Sequence, residues 1–112
     1  MDLQTTIHES INVITVNAER IDASVAIQFK DAMRAVTDDG PDHMVLDLGQ
    51  VAFVDSSGLG AIVAAMKQMG KDRKLDLAAL TPDVAKVFRL TRMDTVFDIH
   101  ENVQQAAPRA AG

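Results

Sequence analysis

The residues best suited to chemistry form one short segment between two apolar stretches. They are Asp55, Ser56, Ser57, Gly58, Leu59 and Gly60. A serine at such a junction can cap a helix, attack a substrate as a nucleophile, help to bind a phosphate, or itself accept a phosphoryl group from another enzyme. The sequence around the segment helps to decide between these four possibilities.

Nucleophilic catalysis is disfavoured by the spacing around Ser56. A nucleophile elbow has glycine two residues before and two residues after its serine, and Val54 stands at the first of these positions. A catalytic triad also needs a histidine, and none of the three histidines belongs to a local catalytic signature. We interpret His8, His43 and His100 as surface or strand-end residues. We therefore expect no enzyme activity and no catalytic residue.

The motifs for binding phosphate and metal ions are incomplete. Gly58 and Gly60 begin a dinucleotide-binding pattern, but Val63 occupies the position of its third glycine. The chain has no Walker sequence, its histidines are scattered, and its acidic residues do not follow calcium-loop spacing. We expect this chain to bind neither a cofactor nor a metal ion.

Two interpretations of the serine pair remain. In the first, Ser56 or Ser57 only caps the following helix through its hydroxyl group. In the second, a serine is phosphorylated, because the N–H groups at a helix N-terminus and the positive end of its dipole accommodate a phosphate. That phosphate would add about 1.5 to 2 negative charges beside Asp55 and would alter any docking surface there.

Strands and helices alternate along the chain, which predicts an α/β fold with a sheet that is parallel at least in its core. Strands are predicted over residues 6–8, 11–16, 44–48, 51–54, 74–80 and 95–100. Helices are predicted from 24 to before 39, over 59–69 and from 82 to about 91, and a frayed helix or tail follows from 101.

Local signals mark the ends of the predicted helices. Asp22 or Ser24 is expected to cap the first helix, and Gly70 to end the second. Thr81, which precedes a proline, is a typical start for the third helix. Gly60 and the alanines that follow it are expected to let the second helix approach its neighbours closely.

The composition is that of an ordinary globular domain. Its net charge is −5 and only 4% of its 112 residues are aromatic, which argues against a nucleic-acid partner. No apolar run approaches the roughly 18 residues that span a bilayer, the N-terminus has no secretory signal pattern, and the chain has no cysteine. We therefore expect a cytoplasmic protein without membrane insertion.

The segment FVDSSGLGAIV resembles the signature of the STAS domains of bacterial anti-sigma factor antagonists, in which an apolar strand leads into Asp-Ser-(Ser/Thr)-Gly-Leu-Gly. The segments ERIDASVAIQFKDAM, HMVLDLGQVAFVD and TPDVAKVFRLTRMDTVFDIHENVQQA are similar to the family in the same order. The resemblance implies one STAS domain over residues 1–112. It also implies a mixed, mostly parallel sheet of four to five strands, about four helices, and a flexible tail from about 105.

The resemblance further implies a binding switch instead of an enzyme. In the family, the unphosphorylated antagonist binds an anti-sigma factor that is also a serine kinase, and this frees a sigma factor. The kinase spends ATP to phosphorylate the first serine of the motif, and a PP2C-type phosphatase removes the phosphate. The corresponding phosphorylation site here is Ser56. The corresponding partner-binding residues are Asp22, Asp55, Ser56, Ser57, Gly58, Leu59 and Gly60, with Asp22 expected close to Ser56.

The chain departs from the family pattern in two places. Glu19 replaces a frequent glycine and would place a further negative charge near the docking surface. Thr91, Arg92 and Met93 replace a Ser-Gly-Leu-like turn after the third helix. These departures leave the identity of the partner open. The alternative function is that of a STAS scaffold subunit, which never switches and belongs to a larger regulatory or lipid-transport assembly.

Overall fold

The structure is a computed structural model of the chain and describes residues 1–8 and 10–107. The strands are β1 (Leu3–His8), β2 (Ile11–Val16), β3 (Arg20–Ile21), β4 (His43–Asp47), β5 (Phe53–Val54), β6 (Lys74–Ala78) and β7 (Ile99–His100). The helices are α1 (Ala26–Thr37), α2 (Ser56–Met69), α3 (Pro82–Leu90) and α4 (Val103–Ala106), with a 3₁₀ turn at Met93–Thr95.

The main sheet has five strands in the order β1-β2-β4-β6-β7. β1 runs antiparallel to β2, and the other neighbouring pairs are parallel. The two short strands β3 and β5 pair in parallel as a separate ribbon. This confirms the prediction of an α/β fold with a mixed, mostly parallel sheet of four to five strands and about four helices.

The two faces of the main sheet are covered unequally. The larger core, on the face covered by α1, α2 and α3, includes the fully buried Ile14, Leu46, Leu77, Phe29, Ile62 and Phe88. The smaller cluster, on the face covered by α4, contains Val13, Val45, Ala78, Ala106 and Ala107. β4 alternates between the two clusters and is nearly continuously apolar, as expected for a strand that is buried on both faces.

The ends of several strands differ from the predictions. β1 begins at Leu3 instead of residue 6, and the strand predicted over 51–54 contains only Phe53 and Val54. The last strand is limited to Ile99–His100, because the preceding residues form the 3₁₀ turn and bring Phe97 into the core. The Phe97 ring packs edge-on against the ring of Phe88, with the centroids 6.0 Å apart.

The C-terminal part of the described chain packs on the sheet. Asn102 caps α4, since its side-chain oxygen accepts a hydrogen bond from the Gln105 backbone N–H at 2.8 Å. Ala106 and Ala107 fall in the stretch predicted as a flexible tail, and both are buried. Residues 108–112 of that stretch lie outside the described residues. None of the helices in the described part of the chain has the length and apolar character needed to cross a bilayer.

Two residues with positive φ follow helices. Gly70 ends α2 with a φ of 85°, which confirms the predicted glycine stop. Arg92 follows α3 with a φ of 64° and a ψ of 16°, in the left-handed region. An L-residue in this region is destabilised by roughly 1–2 kcal/mol. Glycine adopts this region without that cost, so Arg92 holds a conformation in this turn that glycine would adopt more easily.

Candidate functional site

Asp55 starts α2 by capping it. Its Oδ1 accepts a hydrogen bond from the Gly58 backbone N–H at 2.8 Å, and its carbonyl oxygen accepts the Leu59 N–H at 2.9 Å. The helix therefore begins at Ser56, three residues earlier than predicted. The interpretation that Ser56 or Ser57 provides the cap is wrong, because the carboxylate already fills that role.

Asp55 also joins α2 to the loop that follows β3. Its Oδ2 accepts a hydrogen bond from the Ala23 backbone N–H at 3.1 Å. The parallel pairing of Arg20 with Phe53, and of Ile21 with Val54, brings the two chain segments side by side up to this point. The loop that carries the predicted binding residue Asp22 is thereby held beside the N-terminus of α2.

Gly58 is required by the packing of α2 against β3. A Cβ atom added at Gly58 would lie 1.8 Å from the carbonyl oxygen of Ile21 and 2.6 Å from its carbonyl carbon. Ile21 is fully buried, and the obstacle is backbone, which cannot rotate away. The glycine of the motif therefore lets the site assemble, whatever further role it has in binding.

Gly60 has a different environment from Gly58. A Cβ atom added there would meet no atom within 4 Å, and the residue is exposed. The expectation that Gly60 lets the helix approach its neighbours is wrong, since in the described structure no neighbouring element packs against the position that its Cβ would occupy. Leu59, between the two glycines, is half-buried and packs against the main core.

Ser56 and Ser57 are both exposed at the first two positions of α2. The backbone N–H groups at these positions have no partner within the helix. The positive end of the helix dipole favours negative charge in the same place. An external enzyme can therefore reach the Ser56 hydroxyl, and a phosphate placed there would find unused hydrogen-bond donors.

Asp22 carries a fixed negative charge in the adjacent loop. Its Oδ1 accepts hydrogen bonds from the Ser24 hydroxyl at 2.6 Å and from the Ser24 N–H at 3.1 Å. Its Oδ2 accepts one from Arg20 Nε at 3.1 Å. The hydrogen bonds from Ser24 and Arg20 hold the pKa of Asp22 below its ordinary value.

Neither Asp22 nor Ser24 caps α1 as predicted, because the helix starts only after Val25.

Arg20 and Phe53 form a contact that the sequence interpretation missed. The guanidinium carbon of Arg20 lies 4.3 Å from the centroid of the Phe53 ring. Phe53 is 41% exposed. These residues are opposite each other in the β3–β5 pairing. No local pattern connects two residues so far apart in the chain, and only the strand register would have revealed the contact.

A second polar cluster surrounds the buried Asp76, which is 2% exposed. Its Oδ2 lies 3.1 Å from Nε2 of His43 and 3.0 Å from Nε2 of His100. Lys74 contacts both Asp76 and Asp98. His43 and His100 are half-buried, and both contact Asp76. Their positions in the sequence did not indicate that they belong to one cluster. Among residues 1–8 and 10–107, no group of histidine and acidic side chains is arranged to hold a metal ion.

Comparisons with known proteins find relatives that match nearly the whole chain. The family model described as the STAS domain matches residues 2–106. The chain is 30% identical over 96 residues to BtrV of Bordetella bronchiseptica, which is named as an anti-sigma factor antagonist; the match covers 85% of this chain and 76% of BtrV.

Solved structures are similar over the same extent. An anti-sigma factor antagonist from Mycobacterium paratuberculosis superposes with a TM-score of 0.85 and 26% identity, covering 99% of this chain and 94% of that one. SpoIIAA, an anti-sigma factor antagonist and cell fate determinant of Bacillus, matches in its unphosphorylated form with a TM-score of 0.76 and 19% identity, covering 99% and 97% of the two chains. Its phosphorylated form matches with a TM-score of 0.69 and 17% identity, covering 96% and 98%.

Proposed function

Because the chain belongs to the STAS-domain family, we propose that it is an anti-sigma factor antagonist, which binds an anti-sigma factor and thereby releases a sigma factor. The observation that carries the proposal is the exposed Ser56 at the first position of α2, beside the capping Asp55 and the Asp22 loop. The names of BtrV and of the Mycobacterium protein support the same role.

The proposed switch is the phosphorylation of Ser56 by the anti-sigma factor, acting as a serine kinase. The γ-phosphoryl group of ATP passes to Oγ of Ser56, the hydroxyl proton passes to a base of the kinase, and ADP leaves. The nucleotide belongs to the partner, and this chain contributes an accessible hydroxyl on a fixed helix start. A PP2C-type phosphatase reverses the step by hydrolysing the phosphoserine to serine and inorganic phosphate.

The proposed docking surface consists of the helix start and the adjoining loop. Its residues are Asp22, Asp55, Ser56, Ser57, Gly58, Leu59 and Gly60. The absence of a side chain at the exposed Gly60 leaves room for a partner to approach the helix. A phosphate on Ser56 adds about 1.5 to 2 negative charges beside two carboxylates. The added phosphate would repel negative charges of the partner, or would displace the part of the partner that contacts the serine. Either effect weakens the complex.

The proposal is tested with the serine kinase whose gene lies nearest to that of this protein. Incubation with ATP, followed by mass spectrometry of the peptides, is expected to place one phosphate on Ser56. Ser56→Ala is expected to abolish the modification, and the matched variant Ser57→Ala to retain it. Absence of phosphate, or phosphate outside this serine pair, would contradict the switch. A stoichiometric partner that co-purifies with a Ser56 that is never phosphorylated would instead support a scaffold.

A further inference from the structure

Arg20 is a cation directed toward the end of the β3–β5 ribbon where α2 begins. Its guanidinium group lies over the Phe53 ring, 4.3 Å from the centroid, and its Nε donates to Oδ2 of Asp22 at 3.1 Å. Asp22 follows β3 and Asp55 follows β5 in the parallel arrangement. Because Arg20 reaches forward to Asp22, its positive charge lies on the side of the ribbon that leads to Ser56.

A phosphate on Ser56 would enter a region that is already negative. Asp55 is the preceding residue, and the Asp22 loop is held to it by the Ala23 hydrogen bond. Both oxygens of Asp55 accept hydrogen bonds from backbone N–H groups, which carry only partial positive charges. The N–H groups at the start of α2 offer further partial charges. A full positive charge would stabilise a dianionic phosphate beside two carboxylates more strongly than these partial charges alone.

We propose that Arg20 is the residue that binds the phosphate of phosphorylated Ser56. This rests on the proposed switch at Ser56. Ser56 is three residues beyond Phe53, about 10 Å along an extended chain, and an arginine side chain and a phosphoserine together span such a gap. The planar guanidinium group donates two parallel hydrogen bonds to phosphate oxygens, and a phosphate attracts it more strongly than a single carboxylate does.

Arg20 gives up only weak contacts when it moves from Asp22 and Phe53 to the phosphate. The contacts of Arg20 with Asp22 and Phe53 are both at the surface, where ion pairs and cation–π contacts are weak. Asp22 keeps its two hydrogen bonds from Ser24 after Arg20 has moved. Phosphorylation therefore both adds charge at Ser56 and withdraws the guanidinium group from the Phe53 ring, which changes two neighbouring parts of the surface at once.

The experiment uses the full-length chain with phosphoserine installed at position 56 during translation. The pH titration of its phosphate is followed by ³¹P NMR. With Arg20 present, the second pKa of the phosphate is expected to be about 0.5 to 1 unit lower than in Arg20→Gln, since a nearby cation favours the dianion. Arg20→Lys is expected to give an intermediate value, because lysine supplies the charge without the two-pronged hydrogen bonding.

Lys86 provides the matched control. It lines a groove with Phe53 and Val54 and is therefore a second cation near the site. Lys86→Gln is expected to leave the phosphate titration unchanged. Equal titrations for the parent and Arg20→Gln would overturn the proposal, as would an equal shift in Lys86→Gln. The amide spectrum of each variant establishes that it is folded, which is expected because both side chains are exposed.

The test separates this inference from the proposed function. The phosphoserine is installed without a kinase, so the titration reports on Arg20 even if no kinase modifies the protein. A kinase that fails to phosphorylate Ser56 would refute the proposed switch, and with it the biological setting of the Arg20 contact. A modified Ser56 whose phosphate does not respond to Arg20→Gln would leave the switch intact and refute the role of Arg20.

Discussion

Two glycines of the same helix, Gly58 and Gly60, are expected to respond to the same substitution in opposite directions. At Gly58, an alanine methyl group would lie 1.8 Å from the Ile21 carbonyl oxygen. Reaching normal contact distances of about 3.5 Å requires a shift of α2 or β3 by well over an ångström. At Gly60, the same methyl group meets no atom within 4 Å.

The expected magnitudes follow from these distances. Overpacking lowers the free energy of unfolding by about 1–3 kcal/mol, and the upper end applies to Gly58→Ala because the obstacle is backbone. Alanine is better than glycine within a helix by about 1 kcal/mol, which offsets part of this loss. We expect Gly58→Ala to lower the free energy of unfolding by about 2 kcal/mol. Gly60→Ala is expected to raise it by about 0.5–1 kcal/mol.

Urea denaturation followed by circular dichroism measures both variants against the parent, with equal m-values as the condition for comparing them. If Gly58→Ala is as stable as the parent, or if both variants shift in the same direction, the Ile21 carbonyl group does not restrict position 58. The same pair also informs the proposed docking surface. Gly60→Ala keeps the fold, so a loss of anti-sigma factor binding in this variant would place the partner against that position.

Three further substitutions are expected to have measurable effects. Asp55→Ala removes the acceptor for two backbone N–H groups and is expected to lower the free energy of unfolding by about 2 kcal/mol in urea denaturation; a change below about 0.5 kcal/mol would contradict the capping role. Arg92→Gly removes the strain of a side chain in the left-handed region and is expected to raise the free energy of unfolding by about 0.5–1 kcal/mol in the same assay. A variant less stable than the parent would show that contacts of the Arg92 side chain stabilise the fold by more than the backbone strain destabilises it. Ser56→Asp adds a charge at the proposed docking surface and is expected to weaken binding of the anti-sigma factor about tenfold in calorimetry, or about 1.4 kcal/mol, whereas Ser56→Ala binds like the parent; equal affinities of the parent and Ser56→Asp would contradict the charge mechanism.

The order of the main-sheet strands and of the first three helices was predictable, because the strands are short runs rich in apolar and β-branched residues whereas apolar residues recur in the helices with a period near 3.6. The short strand β3 at Arg20–Ile21 was not predicted. The exact start of α2 was not, since the choice among Asp55, Ser56 and Ser57 as the cap depends on where each side chain points. The last strand was predicted too long, because nothing local to residues 95–97 shows that Phe97 turns inward to pack against Phe88.

The candidate site was predictable to the extent that it is contiguous in sequence. The motif from Asp55 to Gly60 stands in one segment, and its resemblance to a family supplied a role for Ser56. The Arg20–Phe53 contact and the cluster around Asp76 join residues from separate strands, so they follow from the pairing of strands and not from any local pattern. The sequence likewise did not show that Gly58 packs against the Ile21 backbone whereas Gly60 is exposed, because this depends on the neighbours of each glycine in the fold.

The double role of the Asp55 carboxylate has a consequence for the entropy of binding. One side chain accepts hydrogen bonds from the backbone of two separate segments, at Ala23 and at Gly58. The loop and the helix start are thereby ordered together before any partner arrives, and neither has to be immobilised during association. A surface ordered in advance loses little conformational freedom on binding, so more of the contact energy remains as affinity. In the proposed switch, a partner would meet a helix start and loop that are already ordered, and a phosphate on Ser56 would change the charge of this surface without unfolding it.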